Sequence, residues 1–279
     1  MSERNGDPAP DPMIEFLRPV LEAQRRKVED HERLRASEPY RAVIKHLDRM
    51  ASDYGLAVNA IDLMATRYPP FFDTKFTLRA KPHLTQSLVA AVWAIKEGML
   101  DPARRELRFL LEASVKALWL DRGGRRTDGT PVDGAGDIGS KVDALDDLGR
   151  RKFAEIVGEL EFGLLTPAAC ATYRSTATDL YSKLSTYSHV SKANVKQDLR
   201  NFDRGRPFGF ETVKELEAIA KQAKRVLDLS LASQFEAFDH GLVGDVIVQV
   251  FDDEPKWAFR RTPLVGAIDR HFDYKAERR

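Results

Sequence analysis

Arg104-Arg105-Glu106-Leu107-Arg108-Phe109-Leu110-Leu111-Glu112-Ala113-Ser114-Val115-Lys116-Ala117-Leu118-Trp119-Leu120 is the stretch on which the reading of the fold turns. At roughly 100° per residue, Leu107, Leu111, Val115 and Leu118 fall on one stripe, the pattern of a helix packed inside a bundle. Arg104 and Arg108 lie on or beside that stripe, and Glu112 lies a little further round. Charges so close to a core face must be paired or used, because desolvating them alone is costly. Arg104, Arg108 and Glu112 are therefore candidate catalytic residues, and equally candidate members of a structural polar network.

The segment before this helix repeats the pattern. Leu84, Leu88, Val92, Ile95 and Met99 line one face of a predicted helix over Pro82–Met99. Gly98 and Asp101-Pro102 mark a tight turn, so the two helices should be antiparallel neighbours at the heart of the fold. Upstream, Val43, Leu47, Met50, Tyr54, Ala57, Ile61 and Met64 pattern a helix from about Pro39 to Tyr68, ended by Pro69-Pro70. Phe71–Lys81 reads as a short strand or an irregular segment. The first helix, about Met13–Ala36, carries a thin apolar stripe and an internal Pro19, which suits a peripheral or dimer-forming helix.

Downstream, Arg122–Gly139 holds six glycines and reads as a flexible loop. A helix is expected over about Ser140–Phe162. Thr166-Pro167 is an N-cap and first-position pair opening another, along which Tyr173, Ala177, Leu180, Leu184 and Tyr187 form a packing seam. A further long helix spans about Glu211–His240. Val246-Ile247-Val248-Gln249-Val250-Phe251 has the β-branched content of a strand, and a short helix near Pro263–Phe272 follows. The expected fold class is mainly α: a multi-helix bundle with a long N-terminal helix and a small irregular C-terminal appendage. Its expected organisation is a disordered 1–12, N-terminal helices over 13–68, a bundle over 69–240 with the flexible loop 122–139, and the appendage 241–279.

The 279 residues are 43% hydrophobic and 31% charged, with a net charge of +1. Near-neutrality excludes bulk attraction to nucleic acid or acidic membranes, so any such binding needs a local patch. One cysteine, Cys170, excludes an internal disulfide and a thiolate-rich metal site and fits a reducing compartment. No run approaches the ~18 apolar residues of a spanning helix, and the N-terminus has no apolar signal core. The expectation is a cytoplasmic protein without membrane contact. Walker A, HExxH, GxSxG and kinase signatures are absent, no GxGxxG follows a predicted strand, and the six histidines are scattered. Neither a cofactor nor a metal is expected.

Three segments are candidates to converge: His83–Ser87, the Arg104/Arg108/Glu112 face, and Tyr181-Ser182-Lys183-Leu184-Ser185-Thr186-Tyr187-Ser188-His189. The basic stretch Lys192, Lys196, Arg200, Arg204 and Arg206, interleaved with Phe202 and Phe208, is a candidate RNA contact or a solvated loop. The run HLTQSLVAAVWAIKEGMLDPARRELRFLLEASVKALWLD, with the distal YSKLSTYSHVS, resembles a group of poorly characterised prokaryotic helical proteins related to the HEPN superfamily. That superfamily includes ribonuclease toxins and abortive-infection proteins. The resemblance covers about Pro82–Leu120 and Tyr181–Ser191. It implies a helical bundle of conflict or phage defence and, for catalytic members, metal-independent RNA cleavage. Arg104 and Arg108 would then supply cations and His189 an acid or base, while Glu112 would orient Arg108 or tune His189. The late-helix Arg-x4–6-His of the ribonuclease members is not matched, since Arg174 lies too far from His189. Arg41-Ala-Val-Ile-Lys-His46 matches that spacing on an early helix with apolar filler. The alternative expectation is a non-catalytic interaction or scaffold subunit, dimeric or bound to a partner protein through the N-terminal helix.

Overall fold

A computed structural model describes residues 12–126, 130–187, 195, 196, 199, 211–252, 254 and 256–272. Among these the chain is mainly α-helical, with eleven α-helices, one π-helical turn and no strand. The helices are α1 (Pro12–Arg35), α2 (Glu38–Ala65), α3 (Phe71–Thr74), α4 (Phe76–Lys96), α5 (Leu100–Arg122), α6 (Ile138–Arg150), α7 (Phe153–Glu159), α8 (Pro167–Ser185), α9 (Val213–Glu236), α10 (His240–Val246) and α11 (Val265–His271).

The core organises around α5. Leu107, Leu111, Val115 and Leu118 are fully buried, as their spacing requires. The turn into α5 places Gly98 at a φ of 71°, a left-handed geometry natural to glycine. The α4–α5 pair forms the most extensive helix–helix contact, and α2, α8 and α9 pack around it. Buried hydroxyls stitch the core together. Tyr54 Oη lies 2.9 Å from Ser230 Oγ, which lies 2.6 Å from Ser114 Oγ, and Gln234 donates to Tyr54 Oη at 2.8 Å. Burial pushes the Tyr54 phenol up to about 12. Tyr173 pairs with Ser233 in the same way, at 2.6 Å.

Four sequence expectations need correction. Phe71–Lys81 is neither strand nor irregular, because it forms α3 and the first turns of α4. The Asp121 carboxylate accepts from the backbone N–H of Phe76 and Thr77 at 2.7 and 2.9 Å, so a residue distant in sequence caps α4. Pro82 consequently sits inside the helix rather than at its start, and removes the donor that would meet the Leu78 carbonyl. The segment read as one helix over Ser140–Phe162 is two, α6 and α7, broken where Arg151 turns extended. The guanidinium of Arg151 is drawn to Glu159 and lies over the Trp119 ring.

The Arg122–Gly139 stretch touches the body at a few points among its described residues. Gly123 ends α5 with φ 78°, Val132 is buried, and Arg125 bridges Pro131. Gly124 lies flat against Trp119, where a Cβ would come within 1.9 Å of Cε2. Val246–Phe251 is the end of α10 and a π-helical turn. Val246, Ile247 and Phe251 all point into the core, a pattern strict strand alternation forbids. The tail is sewn on by Asp228, which accepts from Thr262 Oγ1, Leu264 N and Val265 N at 2.6, 3.2 and 2.9 Å. Burial holds the Asp228 carboxyl above the usual carboxylate range. Phe251, Phe259, Val265 and Ile268 thereby join the same core as α5.

The α1 helix behaves differently. Every residue from 13 to 30 is exposed, and contact with the body begins at His31, 3.9 Å from Glu211. In the last turn Arg35 donates to the Lys96 carbonyl at 2.5 Å, and Leu34 packs on the core. No helix of the described residues is long and apolar enough to cross a membrane.

Candidate functional site

Residues spaced four apart on an α-helix share a face. Arg104, Arg108, Glu112 and Lys116 therefore form one half-buried polar edge along α5, beside its core stripe. Arg104 donates to Asp101 at 2.5 Å, one turn back. Glu112 accepts from Lys116 at 2.6 Å, with Arg108 at 3.9 Å on its other oxygen. The edge holds three cations against two carboxylates.

The C-terminal end of α8 covers this edge. Thr166 Oγ1 caps the start of α8, accepting from Ala169 N at 3.3 Å, and Tyr173, Ala177, Leu180 and Leu184 are buried along its seam. The helix stops at Ser185, and the following turn returns Tyr187 to α5. The Arg104 guanidinium carbon stands 4.2 Å from the Tyr187 ring centroid. Arg108 stands 4.8 Å from that of Tyr181 and donates to its hydroxyl at 2.8 Å. Tyr181 in turn stacks on Phe153 of α7, with centroids 4.0 Å apart and planes within 9°. Each roofed guanidinium is attracted by the ring's negative face, by about 0.5–2 kcal/mol according to its desolvation. The Nε atoms of Arg104 and Arg108 are buried with no hydrogen-bond acceptor among the described residues. Both guanidiniums are thus held in place without all of their donors being used.

Two of the three predicted segments, α5 and the end of α8, are therefore together. The third is not. His83 is exposed within α4 and makes no hydrogen bond or ion pair among the described residues. Arg41 and His46 are exposed on α2, five positions apart and so on different faces. Lys196 is exposed. His189, Lys192, Arg200, Arg204 and Arg206 lie outside the described residues.

Sequence reasoning missed Lys116 and Asp101 as partners, although their four- and three-residue spacings were visible. It also missed the Trp119–Glu159–Arg151 cluster, in which Trp119 Nε1 donates to Glu159 at 2.9 Å. The hydrogen bond from Arg151 holds the Glu159 carboxyl below its ordinary range, against the opposing pull of burial. Among the described residues, no group of three or more His, Cys, Asp or Glu side chains has the arrangement to hold a metal ion. The half-buried Cys170 thiol is pushed up by burial, opposite to the shift that makes a reactive thiolate.

No family model matches the chain, and no curated protein or solved structure does.

Proposed function

We propose that this chain is a HEPN-like helical protein of prokaryotic conflict or phage defence that acts on RNA at the α5–α8 edge in a cytoplasmic setting. The observation that carries the reading is the pairing of Arg104 with Tyr187 and of Arg108 with Tyr181. It brings the two segments of the resemblance into contact. Tyr187 precedes His189 by two residues in the chain.

Metal-free cleavage has the 2′-hydroxyl attack the adjacent phosphorus while the bond to the 5′-oxygen breaks. A base takes the 2′-proton, an acid protonates the leaving oxygen, and a cation offsets the phosphorane charge. Arg104 and Arg108 would offset the charge, Glu112 would orient Arg108, and His189 would carry a proton. Lys192, Lys196, Arg200, Arg204 and Arg206 would hold the phosphate backbone.

The test is RNA cleavage by purified protein in the presence of a chelator. His189→Ala and Arg108→Ala should abolish it. Tyr181→Phe, which removes only the acceptor hydroxyl, should retain it in part. Wild-type protein that cleaves no RNA, or His189→Ala that cleaves at the wild-type rate, rejects the proposal.

A second reading, a non-catalytic assembly subunit, is favoured by the exposed apolar face of α1 and by the internal partners of the α5 charges. Under it, Arg108→Ala lowers stability and no RNA is cleaved.

A further inference from the structure

The free turns of α1 are amphipathic. Met13, Ile14, Phe16, Leu17, Val20, Leu21 and Val28 project from one side, Phe16 being 77% and Val20 63% exposed. The opposite side carries near-balanced charge, locked into ion pairs such as Arg25–Glu29 and Arg26–Glu22. A helix draws most of its stability from packing an amphipathic face, which these turns lack, and an internal Pro19 weakens them further. An apolar face of this extent on an unsupported helix calls for a partner. Charge balance argues against an anionic lipid surface, which selects basic polar faces.

An apolar groove lies on the same molecule. It is open, has a volume of about 790 Å³ and runs between α2 and α4. Pro82, Gln86, Val89 and Trp93 line it at helical spacing, and the Lys81–Asp62 ion pair lies along it. Its walls are mostly apolar, and Trp93 is 59% exposed. The α1 helix does not occupy the groove of its own chain, since residues 13–30 are exposed and Arg35 is held at the end of α4 by the Lys96 carbonyl.

We infer that α1 of a second copy seats its apolar face in the α2–α4 groove, and that a twofold axis makes the exchange reciprocal. This rests on the assembly reading of α1. One chain carries both a convex amphipathic helix and a concave apolar strip, so a second copy supplies both halves of the contact. An α1–α1 pair would leave Val89 and Trp93 in water. Phe16 and Trp93 bring ~150–250 Å² each, and with the exposed aliphatic side chains of α1 and Val89 the two faces approach the ~800 Å² per partner of a standard interface.

The test measures mass in solution by light scattering and then maps the contact. The wild-type chain of 31.5 kDa should run at twice that mass. Leu21→Glu and Trp93→Glu should each give monomers with unchanged circular dichroism from the bundle. In a Cys170→Ser background, Leu21→Cys and Trp93→Cys proteins should cross-link with a short bis-maleimide when mixed, and neither should when alone. A dimer in which Leu21→Cys cross-links to itself overturns the groove assignment and leaves the assembly reading standing. A monomeric wild type overturns the exchange between copies.

Discussion

Replacing Lys141 by Met tests the pin that positions the site. Lys141 and Asp121 form an ion pair in which neither side chain has any solvent exposure. The ammonium of Lys141 donates to Asp121 Oδ1 at 2.8 Å, to the Gly134 carbonyl at 2.9 Å and to the Thr74 carbonyl. Asp121 also accepts the two N–H groups that open α4. One contact thus fixes the start of α4, the end of α5 and the start of α6. Methionine has nearly the same length and fills the same space, so little of its effect comes from a cavity. The loss is electrostatic. Asp121 remains buried without its counter-charge, and two carbonyls lose their donor. Breaking a buried pair from one side costs about 3–5 kcal/mol. The two surviving N–H bonds to Asp121 place this case near the lower end. At ~2–4 °C per kcal/mol, the melting temperature should fall by roughly 6–12 °C. Asp121→Asn should cost a comparable amount, because its amide nitrogen must face a backbone N–H. The double variant should then cost less than the two singles together, by about 0.5–3 kcal/mol of coupling. Urea unfolding followed by circular dichroism measures all three. A Lys141→Met cost under ~1 kcal/mol, or single costs that simply add, would refute the reasoning.

Gly124→Ala should displace the Trp119 ring, because the new Cβ would sit 1.9 Å from Cε2. Overpacking of this kind costs about 1–3 kcal/mol, and a shifted tryptophan emission with a lower melting temperature should report it. An unchanged spectrum and midpoint would show that the ring moves aside freely. For Glu159, the folded-state carboxyl is held below its unfolded value, first by the Arg151 hydrogen bond. Its contribution is complete above the ordinary glutamate range and is lost as pH falls through the depressed folded value. Glu159→Gln should therefore flatten the acid limb of the melting-temperature profile in that window. A variant profile parallel to wild type there would remove Glu159 from the account.

The central helix was legible because its packing is local. Leu107, Leu111, Val115 and Leu118 are separated by about one turn each, and a stripe so regular has one interpretation. The Arg104 and Arg108 edge was legible as an anomaly, and its meeting with Tyr181 and Tyr187 as a juxtaposition. The tyrosine rings over the guanidiniums were not, since nothing in a sequence says which face of a core tyrosine meets a cation. Lys141 was invisible for a stronger reason. An ordinary lysine in the first turn of a helix reads as solvated, and it is buried only because Thr74, Asp121 and Gly134 arrive from three separate places. The same non-local capping by Asp121 made Pro82 look like a helix start. Val246–Phe251 misled through composition, because β-branched residues suit any tightly packed interior and only the neighbours decide between helix and strand.

Glu236, the last residue of α9, is buried, and it accepts from the backbone N–H groups of Gly163, Leu164 and Leu165 at 2.7, 2.9 and 2.8 Å and from Arg122 at 2.8 Å. Three successive amides converging on one anion make a nest, the device with which other loops cradle phosphate. Here the anion belongs to the chain itself. The connection between α7 and α8 therefore keeps its shape without any diffusible ion, and added salt cannot compete its anion away. The Tyr181–Arg108 contact hangs from a segment whose entry is anchored from within.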